Sequence, residues 1–348
     1  MKKIKKYSKS FKDVINIKKS FFTQNEEKLS SLKNINELYK QQPRRHNCKN
    51  CLDSIGDVDL VSFGVEYSLC DNCGHLNGIY EDTEHFAEKI YIDSEFEYYQ
   101  NYTENPDDFH DRVNNIFIPK IDFLNDIMTE IGEGDFEICD IGCGAGHSVY
   151  AANMRGIKTE GYEVSKKMCE FGNKQIKKRL INNVNMGDVY DIVLATSADV
   201  VSLYGVLEHL CYPHKFLHNF IKSRATYLYI NIPLFSVGTF IENVFPNVMP
   251  RQLSGAHTHL WTEESLEYLF DKHDLEPIGT WWFGTDFLDL YRSFLVELRK
   301  NNTSPKMIEK YNVFYNNLID TFQATVDKNH TCSEVHIVLK KRRYNNEI

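Results

Sequence analysis

No stretch of this 348-residue chain stays apolar long enough to span a membrane, and no apolar core follows the basic N-terminus MKKIKKYSKSFKDVINIKK. The sequence therefore points to a cytoplasmic protein without a membrane span. Repeats and low-complexity tracts are also missing; with 42% hydrophobic and 26% charged residues, extensive disorder is not expected away from the ends. Charge is uneven along the chain. Residues 1–45 hold 13 Lys and Arg against 4 Asp and Glu, a balance of +9, which leaves −18 for the remainder of a chain whose net charge is −9. An acidic body is a poor phosphate-backbone binder, so nucleic acid is not an expected partner, and the leader reads as a solvated, partly helical tail. A disulfide framework is absent too: of nine cysteines, Cys139, Cys143, Cys169, Cys211 and Cys332 are scattered, as in a reducing compartment.

What is present falls into four segments. Residues 1–45 form the leader, in which Leu29, Leu32, Ile35, Leu38 and Tyr39 share one helical stripe that Pro43 closes. Residues 46–80 hold two cysteine pairs, and 81–110 form an acidic, Tyr-rich linker. From 111 to 342 apolar runs alternate with amphipathic segments, which predicts an α/β domain around a parallel sheet, with a helical insertion at 286–329. Strands are expected at 136–140, 158–163, 199–203, 226–232, 277–283 and 334–339, and helices at 148–154, 165–178, 214–223 and 263–272, the last capped by Thr262.

The first strand runs into FEICDIGCGAGHSVYAANMRG, where Gly142, Gly144 and Gly146 lie between strand and helix. Glycines serve where the chain reverses tightly or a ligand approaches the backbone, so the turn reads as a nucleotide-binding floor; a tight connection is the plainer reading. Glu163 ends the next strand, 23 residues after Asp140, close to the offset at which an acid meets ribose hydroxyls. Asp188 follows a third strand and either lines an adenine pocket or is a simple turn aspartate.

Glu208 and His209 follow the fourth strand, at the edge of the sheet where ligands of such folds bind. A histidine is a natural general base near neutral pH and an adjacent acid can orient it or the acceptor; a pair that only packs the loop is the alternative. His257 and His259 form a second candidate group, substrate-facing or structural, with His259 counted among the catalytic candidates.

Cys48-Lys-Asn-Cys51 and Cys70-Asp-Asn-Cys73 leave 18 residues between the pairs, the spacing of a closed tetrahedral zinc site of structural type. His46 and His75 stand nearby as substitute ligands.

Asp140-Ile-Gly-Cys-Gly-Ala-Gly146 resembles motif I of class I S-adenosylmethionine-dependent methyltransferases. The segment 198–217, ADVVSLYGVLEHLCYPHKFL, resembles that family's fourth strand and following loop, and HTHLWTEESLEYLF its segment before the penultimate strand. The resemblance spans roughly residues 110–340. It implies a Rossmann-like, mostly parallel seven-stranded sheet with helices on both faces, behind a zinc-ribbon-like module. It further implies Asp140 and Gly142 beside the methionine end of the cofactor, Glu163 on the ribose, and Asp188 with Val189 at the adenine; Gly144, Gly146 and Tyr204 complete the cofactor-binding set. The Glu-His pair resembles one in sugar-modifying and quinone O-methyltransferases. The order of zinc knuckle, Tyr-rich linker and motif I is similar to nucleotide-sugar and surface-glycan methyltransferases, whose carbon-methylating branch has a further C-terminal domain. The expected function is methyl transfer to oxygen or nitrogen of a small, sugar-like acceptor. An RNA methyltransferase and a non-catalytic cofactor-binding protein are the alternatives.

Overall fold

The longest apolar runs become strands covered on both faces. In the computed structural model, residues 4–11, 19–92, 105–253 and 257–342 are described. The core of the expected Tyr-rich linker, residues 93–104, and parts of the basic leader, 1–3 and 12–18, lie outside them. The described residues form β1 (Ile4–Tyr7), β2 (Leu60–Ser62), β3 (Val65–Leu69), β4 (Leu76–Gly78), β5 (Glu137–Ile141), β6 (Lys158–Glu163), β7 (Ile181–Asn183), β8 (Val200–Tyr204), β9 (Tyr227–Pro233), β10 (His259–Leu260), β11 (Leu275–Trp282) and β12 (Glu334–Lys341). Every residue of β9 is buried, as a strand with helices on both faces requires.

Eight of these strands make one sheet in the order β1-β11-β12-β9-β8-β5-β6-β7. The β5, β6, β7, β8 and β9 neighbours pair in parallel, and β12 runs antiparallel between β9 and β11. On one face Phe216, Phe220, Leu266 and Leu269, from helices Pro213–Lys222 and Glu263–Lys272, pack with Leu203, Leu228 and Ile230 of the strands. On the other, Leu124, Ile127 and Val149 of helices Ile118–Glu130 and His147–Met154 pack with Ile138, Tyr229 and Trp281.

One expectation is corrected here. The sheet has eight strands, not seven, because the leader supplies β1, paired in parallel with β11 from Ile4↔Gly279 to Tyr7↔Trp282. Lys5 and Lys6 disguise this strand in the sequence, yet lysine is at home on a sheet edge, and Lys6 Nζ sits 3.8 Å from the centroid of the Trp281 ring. This part of the leader is therefore built into the fold rather than solvated. The cysteine segment shares a sheet with the larger domain. Its antiparallel strands β2, β3 and β4 are joined by β10 from the larger domain, through His259↔Asn77 and Leu260↔Leu76. The helix expected around residues 25–41 forms at Asn25–Lys40 and packs Ile35 and Tyr39 with Val65, Tyr67 and Leu76.

The insertion at 286–329 is three helices, Asp286–Lys300, Pro305–Asn316 and Ile319–Lys328. Its anchor is Asp286, which has no exposed surface. Oδ1 accepts from Ser236 Oγ at 2.8 Å and Gly238 N at 2.9 Å, and Oδ2 from Ser333 N at 3.0 Å and Gln323 Nε2 at 3.1 Å. Gly238 N and Gln323 Nε2 have second acceptors in Ser236 Oγ and Asp327 Oδ1, so removing the carboxylate leaves two buried donors, Ser236 Oγ and Ser333 N, without one, at a cost of about 1–3 kcal/mol each before relaxation. Asp286→Ala is therefore expected to lower unfolding stability by about 2 kcal/mol or more. Urea denaturation checks this; a loss below about 1 kcal/mol would show that this network does not hold the insertion.

Candidate active site and cysteine cluster

A cavity of about 320 Å³ opens at the carboxyl ends of β5, β6 and β8, within the usual range for a small-ligand site. One part of its wall is the turn after β5. Gly142, Gly144 and Gly146 all have positive φ, +67°, +56° and +74°. A Cβ at Gly142 would fall 2.6 Å from Val206 Cγ2, and one at Gly146 would fall 2.3 Å from Ile181 Cδ1. At Gly144 it would meet nothing within 4 Å. Two glycines thus permit packing, while Gly144 leaves backbone open to the cavity.

The turn is tied to β6. Gly142 N donates to Tyr162 O at 2.8 Å, and Gly144 N donates to Glu163 Oε2 at 2.8 Å. Glu163 Oε1 accepts from Ser165 N at 2.8 Å. An ionised carboxylate has about four acceptor positions, so Glu163 can hold this backbone and still receive hydroxyl donors from a ligand. Gly142, Gly144, Glu163, Val189 and Tyr204 all line the cavity.

Asp140, Gly146 and Asp188 do not. Asp140 is wholly buried, and accepts from Ser202 Oγ at 2.7 Å and from Ser148 Oγ. Burial pushes its carboxyl up to about 7. It ties β5 to β8 and to the helix after the turn. Asp188 Oδ2 accepts from Asn185 N at 2.8 Å and Nδ2 at 2.9 Å, closing a capping box. Its carboxylate holds the turn that presents Val189.

His209 also lines the cavity, and its Nε2 lies 3.8 Å from Glu208 Oε1. Tyr91, from helix Glu84–Tyr91, lines the cavity beside it, its hydroxyl 2.6 Å from His209 Nδ1. The His257 ring stacks on His209 with centroids 5.1 Å apart, and its Nδ1 donates to Gln252 O at 2.8 Å. Glu208 is 2% exposed, and burial pushes its carboxyl up to about 8. Glu208, His209 and His257 each offer a ligand atom within 4.8 Å of the others. The acidic partner for His257 lies 49 residues back in the chain.

His259 stands apart from the cavity lining. It is 1% exposed, and its Nδ1 lies 2.9 Å from His75 Nε2. The two imidazoles lie where the cysteine sheet meets the catalytic domain. Tyr91, Phe21 and Arg251 line the cavity without having been singled out in the sequence. Arg251 Nη1 donates to Thr285 Oγ1 and, at 2.8 Å, to Asp289 Oδ2, so the insertion fixes a guanidinium at the cavity wall.

The four thiols of Cys48, Cys51, Cys70 and Cys73 are buried, unbridged and within 4.8 Å of one another. Cys48 and Cys73 sulfurs stand 3.7 Å apart and those of Cys51 and Cys70 3.4 Å. A tetrahedral site with metal–sulfur bonds of about 2.3 Å places its sulfurs about 3.8 Å apart, so the cluster fits a metal ion. Asn50 N and Asn77 Nδ2 each donate to Cys48 Sγ at 3.4 Å, and Asn50 Nδ2 points at Cys73 Sγ at 3.5 Å. Such donors favour thiolates and orient them. Asn50 Nδ2 also donates to Ser265 O at 2.8 Å, and His214 Nε2 to Asn50 O at 2.6 Å. The cluster is thereby fastened to two helices of the catalytic domain. His75, engaged with His259, is not among the four thiols' group.

Residues 109–279 match the family model described as a methyltransferase domain. The protein is accordingly an enzyme carrying a methyltransferase domain. No curated protein matches the chain. Among solved structures it is similar to magnesium protoporphyrin IX methyltransferase from Synechocystis PCC 6803 with bound SAH, at 12% identity and a TM-score of 0.42, over 67% of this chain and 88% of that one. It is also similar to geranyl diphosphate C-methyltransferase from Streptomyces coelicolor A3(2), at 14% identity and a TM-score of 0.41, over 70% of this chain and 86% of that one. Similarity of this degree carries no argument about the acceptor.

The thiol geometry predicts about one tightly held metal ion per chain in protein purified without chelator. Replacing Cys48 and Cys51 together by Ser should remove that ion and unfold residues 48–73. Metal analysis with hydrogen exchange reads both effects, and metal-free wild-type protein with the same protection would contradict the assignment.

Proposed function

We propose that this enzyme moves the methyl group of S-adenosylmethionine to an oxygen or nitrogen of a small, sugar-like acceptor, one attached to a nucleotide among the candidates. The observation that carries the reading is a single cavity lined by two unlike sets of groups: Gly144 with exposed backbone and the Glu163 carboxylate, and Tyr91, His209 and Arg251.

The first set fits the cofactor. The open face of Gly144 accommodates close approach of a ligand, Glu163 can receive the two ribose hydroxyls, and Val189 offers an apolar wall for the adenine. When bound, the cofactor's sulfonium supplies an activated methyl group, and the protein's task is to align the acceptor behind it.

A hydroxyl acceptor must also lose its proton. Glu208 and His209 are assigned to that activation. An imidazole can take the proton directly, or the pair can ligate a cation that acidifies the hydroxyl, the alternative developed below. Tyr91 and Arg251 suit an acceptor rich in hydroxyls or carrying phosphate, which a planar guanidinium recognises well.

In the cysteine cluster we assign zinc as the structural ion, since four thiolates in a closed site suit it best. An RNA acceptor finds little support. Part of the basic leader is an edge strand of the sheet, which removes Lys6 from any role as a loose phosphate-binding arm.

Two results test this reading. Gly144→Val should fold, because a Cβ there meets nothing within 4 Å and the backbone strain costs only about 1–3 kcal/mol. Its side chain enters the cavity, so calorimetry should detect no S-adenosylmethionine binding; undiminished affinity would remove the cofactor from this site. His209→Ala should bind the cofactor almost as wild type while losing roughly 100 to 10,000-fold in methyl-transfer rate. A loss below about fivefold in single-turnover experiments would return the histidine to a packing role.

A further inference from the structure

We propose that Glu208, His209 and His257 bind a divalent transition-metal cation beside the cavity, at the part of its wall that His209 forms, and that this cation holds and acidifies the acceptor hydroxyl. The proposal rests on the methyl-transfer reading above and names how the pair after β8 activates the acceptor.

Four observations converge on it. One ligand atom from each residue lies within 4.8 Å of the other two, although His257 comes from a segment far along the chain from the turn Leu207–His209. The tautomer of His257 is settled by its neighbour: Gln252 O can only accept, so Nδ1 carries the proton at 2.8 Å and Nε2 keeps its lone pair. Metal-ligating histidines characteristically donate their second ring N–H in this way. His209 can adopt the same form, since the Tyr91 hydroxyl 2.6 Å from its Nδ1 is able to accept as well as donate, and its Nε2 lies 3.8 Å from Glu208 Oε1. Finally, Glu208 is 2% exposed and its Oε2 has no hydrogen-bond partner among the described residues. A buried carboxylate oxygen with an open lone pair calls for a donor or a cation.

The donor set selects the ion. Two imidazole nitrogens with one carboxylate oxygen suit manganese, iron, cobalt or zinc better than magnesium or calcium. Three protein ligands leave coordination positions for an acceptor oxygen, unlike the closed four-thiol cluster. The cation acts as a Lewis acid and keeps its oxidation state. The acceptor O–H bond breaks and its proton passes to water; the oxygen lone pair forms the new bond to methyl carbon, and the carbon–sulfur bonding pair stays on sulfur as the thioether. On this account His209 ligates the cation and does not itself take the proton.

The test uses the full chain with its thiol cluster loaded with zinc. Manganese is titrated while electron paramagnetic resonance follows the free ion, and S-adenosylmethionine affinity and zinc content are measured on the same samples. One bound manganese per chain is expected, weakened at least tenfold in both His257→Ala and Glu208→Gln, with cofactor affinity and zinc content holding near wild type as the sign that each variant is folded. No saturable manganese binding by the wild type, or equal binding by both variants, overturns the proposal. A chain that binds manganese at these residues but not the cofactor would leave the metal site standing and bring down the methyl-transfer reading instead.

Discussion

The cavity is organised around the hydrogen bond from the Gly144 backbone N to the Glu163 side-chain Oε2 at 2.8 Å, which acts beside the backbone bond from Gly142 N to Tyr162 O. It joins the turn after β5 to the end of β6, and it does so only because the turn takes left-handed conformations at three glycines. With the turn so held, the helix His147–Met154 begins against Ile176 and Ile181, Asp140 can bridge β5 to β8 through Ser148 and Ser202, and β8 leads to His209 in the wall of the same cavity, with Glu208 buried beside it. A side chain that displaced this turn would disturb both parts of the wall together.

The cavity wall is assembled from pieces distant in the chain. Phe21 comes from the leader, Tyr91 from the helix after the cysteine segment, and Arg251 from the stretch after β9, fixed by Asp289 of the helical insertion. The cysteine sheet is part of this assembly, because β10 completes it and Asn50 bonds both to the thiol cluster and to Ser265. A metal ion among the thiols would thereby stiffen the approach of Tyr91 to His209 as well as the cluster. Among the described residues no helix is long and apolar enough to cross a membrane, and most of the acidic excess of the body lies in residues 46–110, which hold 15 Asp and Glu against 2 Lys and Arg.

The catalytic domain was legible because its signals are local. β6 falls at Lys158–Glu163 and the capped helix at Glu263–Lys272 as expected from apolar periodicity and from Thr262, whose Oγ1 accepts from Ser265 N at 3.1 Å. The glycine turn and the cysteine spacing are equally local, since each feature needs its residues at fixed offsets. What could not be read depends on tertiary approach. Lys5 and Lys6 give β1 the look of a solvated tail, and only the open edge of β11 makes it a strand. Asp188 offered two readings, lining or turn, that only the capping bonds to Asn185 separate. His257 and His259 looked alike in sequence, yet one stacks on His209 and the other on the cysteine sheet. No spacing rule brings Glu208 to His257.

The central claim is that one cavity holds the cofactor against Gly144 and Glu163 with its reactive end facing Glu208 and His209. A crystal structure of the full chain with S-adenosylhomocysteine tests it most directly. The account predicts ribose hydroxyls within about 3 Å of the Glu163 carboxylate and the sulfur turned toward the wall formed by Tyr91 and His209. Density for the ligand elsewhere, or a pose in which Glu163 touches neither hydroxyl and the sulfur faces away from His209, would contradict it.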